Sequence, residues 1–205
     1  MKIIKPTVII ETKFNGIKIL KLIELAGRTA YKSESFIKNE SYIQFIKKII
    51  KSGHESVLEH QSISVRVICD RGVSHEIVRH RIASYTQEST RYCNYSDENF
   101  GNEITFIKPC FWNFKSKEYK LWKETISNIE KKYMELIKMG VHQQEARSIL
   151  PNSLKTEIFI TMNLREWRHF FKLRTSIRAH PQMREVANMI LKLFREKIPI
   201  IFDNL

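Results

Sequence analysis

The sequence predicts an α+β fold: a single domain over residues 1–205, with a mostly antiparallel sheet, several helices and no Rossmann half. Three observations carry that prediction. Ile63, Val65, Val67 and Cys69 alternate with Ser62, Ser64 and Arg66, the period of a half-buried strand. Tyr119, Trp122, Ile126, Ile129, Tyr133 and Ile137 recur at the period of an amphipathic helix. The six glycines, at 16, 27, 53, 72, 101 and 140, are too dispersed for a GxGxxG turn or a phosphate-binding loop. Any dinucleotide must therefore be held by something other than a Rossmann turn.

Along the chain, residues 6–13 suit a first strand and residues 17–31 an apolar helix. Tyr42, Phe45, Ile46, Ile49 and Ile50 give a second helix, stopped at Gly53. The strand at 62–69 ends at Asp70-Arg71-Gly72. Ser74 then suits the cap of a short helix running into Arg79–Arg81. Residues 93–114, rich in Asn, aromatics and turn formers, read as a loop with a short strand near Ile104–Ile107. The long helix over 119–137 stops at Gly140, and Gln143–Leu150 forms a further helical piece cut by Pro151. Ile158, Ile160 and Met162 mark another strand. Asn163 with Glu166 three residues on resembles a capping box opening the next helix. Pro181 suits the first position of a final helix through Phe194.

The chain has 205 residues, enough to bury a proper core, and 42% hydrophobic content is ordinary for a globular protein. No apolar run approaches the roughly 18 residues needed to span a bilayer. Met1–Ile10 has no signal-peptide pattern, so a cytoplasmic protein with no membrane partner is expected. Lys and Arg total 35 against 22 acidic residues, a net charge of +13 that favours an anionic partner. Lys is scattered, whereas Arg concentrates at 66–91 and 165–184. That argues against a polybasic nucleic-acid arm and for fitted oxyanion sites. Cys69, Cys93 and Cys110 have no paired spacing, which excludes an evident disulfide framework or zinc knuckle.

Residues 79–91, Arg-His-Arg-Ile-Ala-Ser-Tyr-Thr-Gln-Glu-Ser-Thr-Arg, are poor core material, because unpaired buried charge is costly. They suit a pocket that grips phosphate. On a helix, Arg79 and Arg81 would lie roughly 200° apart and face two different ligands. The competing reading is a helix C-terminus collecting cations against its dipole. Gln87, Glu88, Ser89, Thr90 and Arg91 add hydroxyls, backbone N–H groups and a guanidinium, which shifts the balance to function.

The string Arg-His-Arg, seven residues, then Ser89 resembles the signature of the flavin-dependent thymidylate synthases. Gly53-His54-Glu55-Ser56-Val57-Leu58-Glu59-His60 resembles their Gly-His-x-Ser-x-x-Glu-His segment. Ala146-Arg147-Ser148-Ile149-Leu150-Pro151 resembles Ala-Arg-x-x-Leu-Pro, and Asn163-Leu164-Arg165-Glu166-Trp167-Arg168-His169 resembles Asn-x-Arg-x-x-x-His. Leu173-Arg174 and His180-Pro181-Gln182 follow in order. The likeness spans about residues 28–184.

The resemblance implies the fold of that family and a set of roles. Glu76, Arg79, Gln87, Glu88, Ser89, Thr90, Arg91, Arg147 and Arg174 would bind deoxyuridine monophosphate (dUMP). Ser56, Arg79, His80, Arg81, Asn163, Arg165 and His169 would contact FAD. Arg174 would be the catalytic residue. It further implies NADPH and 5,10-methylenetetrahydrofolate as co-substrates and a homotetramer with sites shared between subunits. Arg165 and His169 are i, i+4 and share a helix face, with Arg174 roughly 180° around from Arg165. Arg168 and Arg184 read as solvated surface. His54 and His60 read as structural imidazoles, and with no HExxH spacing no metal site is expected.

By that likeness the reaction needs no thiolate. Arg174 stabilises negative charge at uracil N3 and the adjacent carbonyl. It acts electrostatically, since a guanidinium with a pKa above about 12 is no general base. One charge-assisted hydrogen bond, about 1.5–3 kcal/mol, moves the N3 pKa by roughly one to two units. Desolvation and phosphate-anchored geometry supply the rest. The rival readings are a nucleic-acid binder, a non-catalytic deoxynucleotide sensor and, weakest, a metal-dependent hydrolase. Flavin absorbance and dUMP-dependent tritium release separate them.

Overall fold

Two nine-residue strands, β3 (Ser62–Asp70) and β6 (Lys155–Asn163), organise the chain in the computed structural model, which describes residues 1–205. Each buries alternate side chains completely: Ile63, Val65, Val67 and Cys69 on β3, and Thr156, Ile158, Ile160 and Met162 on β6. That alternation is the sequence period of two made physical. The strands pair antiparallel. Leu164 N–H donates to Gln61 C=O at 3.0 Å at one end, and Arg71 N–H to Leu154 C=O at 3.1 Å at the other. Between them the Ser64 and Thr161 hydroxyls meet at 2.9 Å.

With β2 (Thr7–Ile10) and β4 (Ser84–Gln87) these strands form an antiparallel four-stranded sheet in the order β2-β3-β6-β4. A separate two-stranded sheet joins β1 (Lys2–Ile4) and β5 (Thr105–Ile107) in parallel, Ile3 opposite Phe106. The architecture is therefore α+β, as expected, with a small parallel pair added. That pair links segments about a hundred residues apart, which local turn signals do not register. No helix is long and apolar enough to cross a membrane.

The chain divides into two compact units. The first comprises Met1–Thr7, Val67–Arg79 and Thr86–Phe159. Its helices are α3 (Arg71–Ile77), α4 (Lys117–Lys138) and α5 (Gln143–Ala146), the last tightening into a 3₁₀ turn over Arg147–Ile149 before Pro151. Ser116 caps α4 by accepting from Tyr119 N–H at 3.1 Å. Ile126 and Tyr133 of α4 pack with Tyr95, Ile104, Phe106, Ala146 and Leu154 into this unit's core.

The second unit comprises Val8–Arg66, His80–Tyr85 and Ile160–Leu205. It contains α1 (Gly16–Thr29), α2 (Ser41–Lys51), a 3₁₀ turn over Glu55–His60, α6 (Leu164–Arg174), α7 (Pro181–Lys197) and α8 (Pro199–Phe202). Trp167, Phe170, Phe171, Phe194 and Phe202 form its aromatic core, with ring centroids 5.1–5.7 Å apart. The Trp167 indole N–H is satisfied by the Ile63 carbonyl at 3.0 Å. The expected stops at Gly53 and Gly140 take φ of 71° and 87°, left-handed conformations that favour glycine.

Four expectations are corrected. The strand expected over 6–13 is β2, four residues long rather than eight, and β1 precedes it. Asp70, not Ser74, caps α3: its carboxylate accepts from Val73 N–H at 2.8 Å, while the buried Ser74 hydroxyl donates to Arg71 C=O. Helix α3 ends at Ile77, so Arg79–Arg81 lie beyond it and the helical angle between them does not apply. Arg168 is not solvated surface but 1% exposed. It donates to the Glu55 carboxylate at 3.1 Å, to Asn204 Oδ1 at 3.0 Å and to the Ile201 carbonyl. Arg184, half-exposed, donates to the Ile177 carbonyl at 3.4 Å.

Candidate active site

In the first unit, β4 delivers the chain into a tight turn over 88–93. The Ser89 carbonyl accepts from Tyr92 and Cys93 N–H at 3.1 and 3.0 Å, and Ser89 Oγ accepts from Arg91 N–H at 3.3 Å. Gln87 is held by two hydroxyls, its Nε2 lying 2.9 Å from Ser74 Oγ and 3.0 Å from Thr156 Oγ1. The Thr90 hydroxyl, in a buried residue, accepts from Arg147 Nη1 at 3.3 Å. This bond joins the turn that follows Gln87 to the Ala-Arg-x-x-Leu-Pro segment. Arg91 and Arg147 are exposed, the former 5.6 Å from the Tyr92 ring centre.

Glu88 has a different occupation. Its carboxylate pairs with Lys155 Nζ at 2.7 Å and accepts from the Tyr95 hydroxyl at 3.1 Å. Burial, with the Glu88 charge beside it, pushes the Tyr95 phenol well above its ordinary range, so it stays a donor. The Glu88 side chain is thus engaged within the protein, and its backbone N–H goes to the Glu157 carbonyl at 2.8 Å. Glu76 sits half-buried on α3, and its carbonyl accepts from Arg79 N–H at 3.3 Å; Arg79 is exposed.

In the second unit, α6 opens with Asn163, whose Oδ1 accepts from Glu166 N–H at 2.8 Å. The Glu166 carboxylate meets buried His80 Nδ1 at 3.0 Å, and Arg174 Nε donates to His80 Nε2 at 3.1 Å. The His80 ring also packs against His169 and Phe170, at centroid distances of 5.6 and 5.0 Å. Burial lowers the His80 pKa and Arg174 lowers it further; the bond to Glu166 opposes both without winning. The imidazole is therefore biased to its neutral form. Tyr85 donates to the His80 carbonyl at 2.6 Å, and burial pushes its phenol up to about 12.

A groove of about 500 Å³ beside this cluster is lined by Ile82, Asn163, Arg165, Glu166, His169 and Lys172, among others. Exposed Arg165 pairs with Glu59 at 2.5 Å across its rim. Ser56 lines a different, larger groove of about 1010 Å³ with His54, Arg28, Tyr31, Phe45 and Lys48. The expected flavin residues Asn163, Arg165 and His169 are thus gathered. Ser56 lies apart from them, and Arg81 is exposed with no side-chain bond. Sequence reasoning missed Ile82, Lys172 and Glu166, the last being read only as part of a helix cap.

His80, Glu166 and His169 place ligand-type atoms within 4.8 Å of one another. A cation there would have to take one His80 nitrogen from its bond to Glu166 or Arg174, next to a guanidinium. The donor set matches a neutral hydrogen-bonded chain better than a metal site.

A protein-family model described as thymidylate synthase complementing protein matches residues 17–200. The chain belongs to the thymidylate synthase complementing protein family. Members similar to it include the flavin-dependent thymidylate synthase of Pyrococcus furiosus, 41% identical over 172 residues, covering 83% of this chain and 70% of that protein. The flavin-dependent thymidylate synthase of Geobacter sulfurreducens is 34% identical over 187 residues, covering 88% and 79%. The crystal structure of a UMP/dUMP methylase, PolB from Streptomyces cacaoi bound with 5-Br dUMP, superposes with a TM-score of 0.79. It covers 99% of this chain and 96% of that one at 20% identity, a likeness of fold. In this family member the Arg-His-Arg string divides between the two units, Arg79 in the first and His80–Arg81 in the second.

Proposed function

We propose that this chain is a flavin-dependent thymidylate synthase that methylates dUMP to dTMP, acting as one domain in the cytoplasm and as a homotetramer with shared sites. The observation that carries the reading is 41% identity, over 83% of the chain, to a protein of that name. The donor sets support it. Gln87, Ser89, Thr90, Arg91 and Arg147 combine an amide, hydroxyls and two exposed guanidinium forks, the chemistry a nucleotide monophosphate requires. Asn163, Arg165, His169 and Lys172 around one groove suit a diphosphate-bearing flavin. Bound FAD, reduced by NADPH, would supply the hydride, and methylenetetrahydrofolate the carbon.

In this reading the phosphate is gripped by Ser89, Arg91 and Arg147, with Glu76, Arg79, Gln87, Thr90 and the Glu88 backbone bordering the nucleotide. Ser56, from its own groove, and Arg81 add flavin contacts, and His80, its ring nitrogens held by Glu166 and Arg174, backs them from within the protein. Arg174 neutralises charge at N3 as uracil C5 becomes nucleophilic. Exclusion of water strengthens that interaction and keeps the base from being solvated.

The test is direct. Protein mixed with FAD should turn yellow and, given NADPH and methylenetetrahydrofolate, should release tritium from [5-³H]dUMP and form dTMP. A colourless preparation with no dUMP-dependent tritium release would refute the reading.

A further inference from the structure

Glu166 and Arg174 stand eight residues apart on α6, about 12 Å along its axis, too far to touch. The imidazole of His80, from a distant part of the sequence, spans the gap. Its Nδ1 lies 3.0 Å from Glu166 Oε1 and its Nε2 3.1 Å from Arg174 Nε. A guanidinium has donors only, so His80 Nε2 must carry a lone pair. The single proton of the neutral ring then sits on Nδ1 and is donated to Glu166.

We infer that Glu166 is a positioning residue for catalysis: by fixing the His80 tautomer it makes Nε2 the acceptor that anchors Arg174. This rests on the reading of Arg174 as the group that acts on the pyrimidine. Anchoring the fork at Nε sets the direction of Nη1 and Nη2, and a donor aimed in advance at developing charge stabilises it without reorganisation. The charged and titratable groups facing the ring are Glu166, His169 and Arg174, with the Phe170 ring beside them and the Tyr85 phenol on the His80 carbonyl. Protonation of His80 would turn Nε2 into a donor, break the bond to Arg174 and set two cations against each other. Turnover should therefore fall as pH drops through the His80 pKa. Removing the Glu166 charge, which favours protonation, should move that fall to lower pH.

Three variants test this: Glu166→Gln, whose amide oxygen still accepts from Nδ1–H; Glu166→Leu, which cannot accept; and His80→Gln, which identifies the His80 signal. Histidine ¹⁵N spectra of the wild type should show His80 as the Nδ1–H tautomer with a slowly exchanging Arg174 Nε–H. Glu166→Leu should mix the tautomers, speed that exchange and lower kcat roughly tenfold, about 1.4 kcal/mol of barrier. Its KM for dUMP and its flavin absorbance should stay near wild type. Glu166→Gln should keep the tautomer and kcat within about threefold, with its acid limb at lower pH. An Nε2–H tautomer in the wild type, an unchanged kcat in Glu166→Leu, or an unmoved acid limb in Glu166→Gln would each overturn the inference. The Glu166→Gln arm decides if the leucine variant does not fold. Absence of any dTMP in the wild type would refute the proposed function instead, and the two NMR readouts would still decide whether Glu166 sets His80 and Arg174.

Discussion

Arg168 Nε donates to Glu55 Oε1 at 3.1 Å, joining the middle of α6 to the 3₁₀ turn over 55–60, while its Nη1 donates to both Asn204 Oδ1 and the Ile201 carbonyl. The side chain is 1% exposed and lies on the helix that presents Asn163, Arg165, His169 and Arg174. One buried guanidinium thus ties that helix to the chain's last residues.

Replacing Arg168 with Leu leaves Glu55 with a weaker partner, Lys172 at 3.7 Å, and strips the donors from the C-terminal backbone. Breaking a buried pair from one side costs about 3–5 kcal/mol. Arg168→Leu should lower the denaturant midpoint correspondingly, and Arg168→Lys, with no fork, should recover less than half. Urea unfolding followed by tryptophan fluorescence checks this; a midpoint within error of wild type contradicts it.

Arg147 is exposed and bound to Thr90, so its removal should act on substrate rather than on folding. Losing one charge-assisted bond to phosphate, about 1.5–3 kcal/mol, should raise KM for dUMP at least tenfold in Arg147→Ala. Thr90→Val, which frees the guanidinium without removing it, should raise KM by less. Steady-state kinetics at varied dUMP distinguish the two; a wild-type KM in Thr90→Val would show that Thr90 does not orient Arg147.

Arg174→Ala should keep flavin absorbance and lower kcat by roughly ten- to a hundredfold, the range of one strong charge-assisted hydrogen bond. Arg174→Lys cannot keep both an Nε anchor and a fork, so it should recover little of the loss. Single-turnover dTMP formation measures this directly. A near-normal rate in the alanine variant removes Arg174 from the mechanism.

Cys69 is fully buried, and burial beside Asp70 drives its thiol far above the ordinary range; Cys93 is raised too, by burial and Glu88. Both are held as thiols, and the thiolate is the nucleophile. The folded triple variant, Cys69→Ala with Cys93→Ala and Cys110→Ala, should turn over within about threefold of wild type. Loss of dTMP formation in a protein that still binds FAD would point to a thiolate instead.

Some of this was legible in the residues alone. The alternation in 62–69 and 158–162 wrote the two central strands, because one buried face imposes a period of two. Asn163 announced the start of α6 because an N-cap is a local contact over three residues. The Arg-His-Arg–x7–Ser string pointed to phosphate because so many cations and hydroxyls have no place in a core. Other features carry no local signature. Ser74 and Asp70 are both good caps, and the choice followed from which side chain lay at the strand's end.

Arg168 looks like any surface arginine until α6 packs against Glu55 and the C-terminal turn. Glu166 meets His80 across 86 residues of chain. Periodicity and capping are short-range physics, written into neighbouring residues, so the order of letters was enough to settle them. Burial of a charge and the pairing of distant groups depend on which surfaces close together, and that became known once the chain was folded.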